Sequence, residues 1–196
     1  MTTSPVDHSC EFGIPGLGVQ RGDHICGLYR SPQQRDDVML AFLGEGLRRG
    51  DKCVCIVDSS RPLQLLVDPD RGIDIEGHVA SGQLEVRNSS EAYVRSGRFS
   101  PHGLLVDLDD SLTAAMADRR FAFVRVVNEM PPSVSDFPQE ELLAHESELK
   151  RFAPRYPLAI LCLYDVNRFA GMVIGLLKSH HMMLFDDVAF EGWTQL

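Results

Sequence analysis

The sequence predicts an α/β fold in which a mostly parallel central sheet carries helices on both faces. Three observations lead there. Short, continuously apolar runs such as "ICGL" and "CVCIV" read as strands covered on both sides. The stretches between such runs show helical periodicity. Strand and helix alternate along the chain, a pattern that builds parallel sheets through crossover helices. With 196 residues, 44% hydrophobic and 24% charged, the chain is long enough to bury one sizeable core.

Taken in order, residues 1–19 read as an N-terminal lead-in and residues 20–196 as one domain. Ile25 to Leu28 forms the first strand. Ser31 then caps a helix with Pro32 at its first position and Gln34 placed to return to the cap backbone. Met39, Phe42, Leu43 and Gly46 form its buried stripe, and Gly50 supplies the left-handed stop. Cys53 to Val57 is the next strand, with Cys53 and Cys55 read as core thiols. Val67 to Gly82 is rich in Asp and Gly and reads as a loop with a short helix. "QLEVR" from Gln83, "FAFVRVV" from Phe121, "LAILCLY" from Leu158 and "HMMLF" from His181 repeat the strand style. Between them, "HGLLVDLDDSLTAAMADR" places Leu104, Leu105, Leu108, Leu112 and Ala115 on one side of a helix. "PQEELLAHESELKRF" sets Leu142, Leu143 and Leu149 above a charged face. Met130 to Pro138 is a proline-rich connection.

A net charge of -9 argues against a direct nucleic-acid surface, which needs clustered Lys and Arg. The longest apolar runs are too short to span a bilayer, and "MTTSPVDHSC" lacks the basic and apolar regions of a secretion signal. The expectation is therefore a cytoplasmic protein without a membrane partner. Its five cysteines would be core thiols, metal ligands or redox groups rather than structural bridges.

Strand, turn and helix from Gly22 to Asp58 open like a nucleotide-binding domain, yet the phosphate chemistry fails. A phosphate-binding turn needs G-x-x-x-x-G-K-[ST], whose glycines and backbone N–H groups cradle phosphate beside a lysine and a magnesium-binding hydroxyl. Anchored on Gly27, this chain puts Pro32 at the second glycine, Gln33 at the lysine and Gln34 at the hydroxyl. Anchored on the helix, it puts Arg35 at the lysine with Asp36 and Asp37 just beyond. Proline removes a donor, and the carboxylates take the positive end of the helix. No ATP is expected.

The segments "GDHICGLY", "FLGEGLRRGDKCVCIVD", "GQLEV", "GRFSPHGLLVDL", "VRVVNEMP", "HESELKRF", "LCLYDVNRF" and "LLKSHHMML" together resemble the MEDS domain, a methanogen/methylotroph, DcmR-type sensory domain. The resemblance runs in order through roughly residues 20 to 190. It implies a degenerate RecA/KaiC-like fold without a functional P-loop, and a signal-input role for which simple hydrocarbon derivatives are the proposed stimuli. The implied partners are a small-molecule ligand and a signalling protein: a histidine kinase, an anti-sigma-factor system or a transcription regulator. Self-association is left open. No kinase motif or DNA-binding segment is evident, so the signal would leave through a partner, and no catalytic residue is assigned. The competing reading is a weak nucleotide- or metal-dependent hydrolase on the same scaffold.

Residues that match the family's pattern are His24, Cys26, Glu129, Glu146, Cys162 and His180. His24 and Cys26 are two apart on one strand and so share a sheet face. Cys162 sits within a central strand, and His180 lies just before the last one. If these strands adjoin, His24, Cys26, Cys162 and His180 form a Cys2His2 set suited to zinc, or to iron in a redox role. Each also has an ordinary reading, the thiols as small core hydrophobes and the histidines as caps of local backbone. Tyr29, Glu129, Glu146, Tyr164 and Asp165 are the expected lining of a ligand site at the carboxyl ends of the strands, where open parallel sheets bind ligands. His8 and Cys10 repeat the H-x-C spacing, as a local metal clip or by chance.

Overall fold

The computed structural model describes residues 10–58, 74–95, 97–117, 119–186 and 188–191. A small hairpin, β1 (Cys10–Glu11) with β2 (Gly18–Val19), leads into β3 (His24–Tyr29), α1 (Pro32–Arg49) and β4 (Lys52–Val57). There follow α2 (Ile75–Ala80), β5 (Leu84–Asn88), α3 (Ser89–Tyr93) and the short antiparallel pair β6 (Val94–Arg95) and β7 (Arg98–Phe99). The chain continues through α4 (Pro101–Ala117), β8 (Val124–Glu129), α5 (Gln139–Phe152) and β9 (Leu158–Asp165). It closes with α6 (Val166–Phe169), α7 (Val173–Ser179), β10 (Met182–Phe185) and β11 (Val188–Glu191).

The main sheet has the order β11-β10-β3-β9-β8-β4-β5, parallel throughout except for the antiparallel β10–β11 edge. β3 and β4, joined by α1, are thus separated by β9 and β8. These four central strands are buried almost from end to end, which is why they read as continuous apolar runs. β11 adds an antiparallel edge strand beyond those the sequence predicts.

α1 starts and stops as its sequence implies. Ser31 accepts from the Gln34 N–H at 3.3 Å, and Gly50 takes the left-handed conformation with φ 84°. Gln34, however, does not return to the cap backbone. Its carbonyl oxygen accepts from the Arg30 N–H at 2.8 Å, while its amide donates to Asp186 at 3.0 Å and so ties α1 to the turn after β10.

Two cores cover the two faces of the sheet. Met39, Phe42 and Leu43 of α1 pack on one face with Ile25, Cys53, Cys55 and Leu161. On the other lie Leu104, Leu108 and Leu112 of α4, Leu142 and Leu149 of α5 and Leu176 of α7, against Cys26, Val126, Ile160 and Cys162. Burying a side chain of this size contributes about 1.5–3 kcal/mol.

Part of the predicted lead-in belongs to the first core. Phe12 and Val19 are fully buried there, and Cys10 packs on the opposite sheet face from Cys26. His8 lies outside the described residues. Arg125, a buried cation near the start of β8, ties the arm down. It donates to Asp51 Oδ2 at 2.9 Å and to the carbonyls of Phe12, Phe42 and Glu11 at 3.3, 3.2 and 2.7 Å. Gly46 makes room for it, since a Cβ there would come within 2.5 Å of Arg125 Cδ. Of the Val67 to Gly82 segment, the described part is the short helix α2, capped by Asp74 accepting from the Gly77 N–H at 2.9 Å.

Candidate functional site

The site residues expected from the sequence fall into two polar constellations, one buried under α5 and α7 and the other at the carboxyl edge of the sheet.

β3 and β9 are neighbours, with Cys26 opposite Cys162 in register. Period-two alternation puts His24 and Cys26 on one face of the sheet, the face covered by α5 and α7. His180, at the carboxyl end of α7, comes to the same place, its ring stacked on that of His24 with centroids 4.0 Å apart. The fourth group of the cluster is Glu146 from α5. Ligand atoms of His24, Glu146, Cys162 and His180 all lie within 4.8 Å of one another, and all four residues are fully buried. Cys26 stays outside this group, next to Cys162 along the sheet.

The geometry within the cluster is specific. Nε2 of His24 and Nε2 of His180 approach the same carboxylate oxygen, Glu146 Oε2, at 3.1 and 2.9 Å. Cys162 Sγ is 3.4 Å from His24 Nε2. Both imidazoles turn Nδ1 to a backbone carbonyl: His24 to Ser179 O at 3.1 Å, His180 to Leu176 O at 2.7 Å. A carbonyl only accepts, so each Nδ1 carries a proton. The second carboxylate oxygen, Glu146 Oε1, accepts from the Tyr164 hydroxyl.

Burial, assisted by the neighbouring His180, lowers the His24 imidazole to about 4, so His24 is neutral at pH 7. Burial alone would raise the Glu146 carboxyl, but the imidazoles of His180 and His24 outweigh it and hold the group well below the carboxylate range. Burial pushes the Cys162 and Cys26 thiols up, with Glu146 adding to it. His145, the neighbour of Glu146, is also buried, and its ring meets Tyr93 edge-on at 5.5 Å.

At the carboxyl edge, Glu129 ends β8 and is nearly buried. Arg35 of α1 donates to its Oε1 at 2.9 Å, the Tyr29 hydroxyl to the same oxygen at 3.3 Å, and the Asp58 N–H to Oε2 at 3.1 Å. Asp165, on the same edge, caps α6 by accepting from the Asn167 N–H at 2.9 Å. The residues expected to line one ligand site therefore divide. Tyr29, Glu129 and Asp165 lie along the carboxyl edge, whereas Glu146 and Tyr164 belong to the buried cluster.

Beside this edge is a cleft of 210 Å3 whose lining includes the apolar Ile14, Leu17, Leu28, Val38 and Leu184 and the polar Gln34, Asp37 and Asp186. Sequence reasoning missed it because the arm and the β10 end meet only in the fold. It also missed Glu146 as a cluster member, although Leu142, His145, Glu146 and Leu149 follow at i, i+3, i+4 and i+7. A charged residue inside an apolar stripe is a readable sign of a buried polar contact.

This mostly parallel sheet with helices on both faces is a fold of the RecA-like class, as solved structures show. A KaiC-like protein of Pyrococcus horikoshii matches with a TM-score of 0.65 at 13% identity, over 90% of this chain and 80% of that one. The flagellar accessory protein FlaH of Methanocaldococcus jannaschii matches with a TM-score of 0.56 at 12% identity, over 89% and 77%. Within that class the chain belongs to the MEDS family, the methanogen/methylotroph, DcmR sensory domain, whose profile matches residues 23–181. It is 26% identical over 185 residues to the transcriptional repressor DcmR of Methylorubrum extorquens, a match that takes in 89% of this chain and 64% of the relative. The chain thus spans under two thirds of that repressor's length. Among the described residues, no helix is long and apolar enough to cross a membrane.

Proposed function

We propose that this chain is the signal-input module of a regulatory system. It takes up a small ligand at the carboxyl edge of the sheet, does not turn over nucleotide, and acts through a protein partner such as a histidine kinase, an anti-sigma-factor component or a transcription regulator. Membership of a sensory-domain family and likeness to a transcriptional repressor support a regulatory role.

The observation that carries the reading is the Arg35–Glu129 ion pair. On a RecA-like scaffold, phosphate belongs at the start of the first helix and the catalytic carboxylate at the end of a central strand. Here the cation at the helix start is already bound to that carboxylate, and Tyr29 and the Asp58 N–H take two more of its lone pairs. Neither group is free to bind a phosphate or to activate water. The neighbouring cleft is small, and its aliphatic wall is broken by Gln34, Asp37 and Asp186, which suits a compact, mainly apolar ligand with one polar or cationic group. Its wall includes Gln34, hydrogen-bonded to Asp186, so a ligand there would bear on both α1 and the β10–β11 turn.

The test is a thermal-denaturation screen of the purified chain against magnesium ATP and a panel of one- to four-carbon halocarbons, alcohols and amines. A ligand that binds the native state must raise the melting temperature with concentration. The expected result is a response to a panel member and none to nucleotide. Steady ATP hydrolysis that disappears in Glu129→Gln would overturn the reading.

A further inference from the structure

We infer that His24, Glu146, Cys162 and His180 form a closed, four-coordinate site for a divalent metal of the zinc class. This stands apart from the signalling proposal, since a metal here could serve ligand sensing or only hold the helices to the sheet.

The protons argue for it first. In the neutral form each imidazole commits its single proton to a backbone carbonyl at Nδ1, which leaves an unprotonated Nε2 on each. Both Nε2 atoms then face one carboxylate oxygen at 3.1 and 2.9 Å. Two lone pairs and a carboxylate oxygen in contact repel one another unless something positive lies among them. The Cys162 thiol, 3.4 Å away, can donate to His24 Nε2, which leaves His180 Nε2 and Glu146 Oε2 as the pair of acceptors still without a proton between them. Moreover, neither His180 Nε2 nor Glu146 Oε2 has an aligned hydrogen-bond partner, although both are fully buried. Atoms this close but misaligned for hydrogen bonding are placed as ligands sharing one cation.

Geometry and charge agree. Tetrahedral zinc with bonds of about 2.0–2.3 Å sets its ligand atoms roughly 3.3–3.8 Å apart. The separations of 2.9, 3.1 and 3.4 Å and the 4.8 Å limit bracket that range, so filling the site needs only small side-chain shifts. A dication with two neutral imidazoles, one carboxylate and the Cys162 thiolate is electrically neutral, as a buried site requires. The Cys162 proton leaves to solvent as the metal–sulfur bond forms. The mixed N, S and O donors suit zinc, cobalt(II) or iron(II) rather than magnesium or calcium. The surroundings are those of a metal site: Nδ1–H to carbonyl orients each histidine, and Tyr164 holds Glu146 Oε1 so that Oε2 is offered singly. With all four protein ligands buried there is no open position for a reacting water, so the site is structural or sensory rather than catalytic.

The test is cobalt(II) titration of the full chain, stripped with chelator and kept reduced without oxygen, with zinc displacement followed by elemental analysis. One equivalent should bind, giving the visible bands of tetrahedral cobalt and a near-ultraviolet thiolate-to-cobalt band. Cys162→Ser should lose the thiolate band, Glu146→Gln should weaken affinity at least 100-fold, and Cys26→Ser should change neither. Circular dichroism confirms that each variant is folded; should Glu146→Gln not fold, Cys162→Ser against Cys26→Ser decides alone. Failure of the reduced wild-type chain to bind a stoichiometric ion, or a thiolate band lost with Cys26 rather than Cys162, would overturn the site. Neither outcome bears on the nucleotide and small-ligand screen.

Discussion

Glu129 and Glu146 are both carboxylates inside the same sheet protein, and each accepts from a tyrosine, yet their environments differ in kind. Glu129 is met by groups that always carry their protons: a guanidinium, a phenol and a backbone N–H. Glu146 is met by two imidazoles and a thiol, whose protons are exchangeable, with a phenol on its other oxygen only. The first is a finished ion pair that closes an edge. The second gathers groups that can give up or take a proton around one carboxylate oxygen, so the same sheet carries one carboxylate with fixed donors and one with titratable neighbours.

The sharpest way to break the contrast is to take the cation from Glu129. Arg35→Ala leaves that carboxylate with only Tyr29 and the Asp58 N–H, at an edge where its side chain is 4% exposed. Removing one partner of a buried pair costs about 3–5 kcal/mol, and the two remaining donors favour the lower end. Urea unfolding should show a loss of about 3 kcal/mol, most of it recovered by adding Glu129→Gln, which removes the stranded charge. A loss no larger in the single variant than in the double would mean that the pair does not neutralise the edge.

Next in size is Tyr164→Phe. Its hydroxyl donates to an ionised carboxylate in the interior, a bond worth about 1.5–3 kcal/mol. In chelator the variant should lose about 2 kcal/mol, and its metal affinity should fall about 10–100-fold, as for other groups that orient a ligand. A stability loss with unchanged cobalt affinity would separate Glu146 from the metal.

What could be read beforehand follows the same division. The central strands were legible because burial on both faces leaves them uniformly apolar, and the shared face of His24 and Cys26 follows from the period of two. Contacts that depend on helix rotation or on chain ends were not. Glu146 reads as ligand lining, and its place on the Leu142–Leu149 stripe does not name its imidazole partners, which come from β3 and the end of α7. Arg125 interrupts the apolar run of β8, but its partners lie in the arm and in α1, which no local pattern connects to it. β11 is exposed at Val188 and lacks the apolar signature of the central strands.

A smaller effect separates the two thiols. Cys26 and Cys162 face each other in register and both are fully buried. Only Cys162 touches the cluster, and Cys26 packs as a small hydrophobe. Cys26→Ala removes one buried sulfur and should cost about 1 kcal/mol with bound metal unchanged. Cys162→Ala should add to a similar packing loss the disappearance of metal-dependent stabilisation in thermal scans with and without zinc. Equal response of both variants to zinc would place Cys26 in the site.

The least effect is expected from Tyr29→Phe, the counterpart of Tyr164→Phe. The Tyr29 hydroxyl donates to Glu129 at 3.3 Å, a long contact, and the oxygen it reaches is already bonded to Arg35 at 2.9 Å. The Tyr29 side chain is only partly buried, so water can replace the lost donor. Phenylalanine therefore leaves no acceptor stranded, and the loss should be about 0.5 kcal/mol, at the low end for a hydrogen bond. Paired with Tyr164→Phe in the same urea titration, the result isolates the environment, because the residue removed and the carboxylate served are chemically the same in both. A loss at Tyr29 matching that at Tyr164 would mean that Glu129 depends on its phenol as Glu146 does, and that the guanidinium does not by itself complete the carboxyl edge.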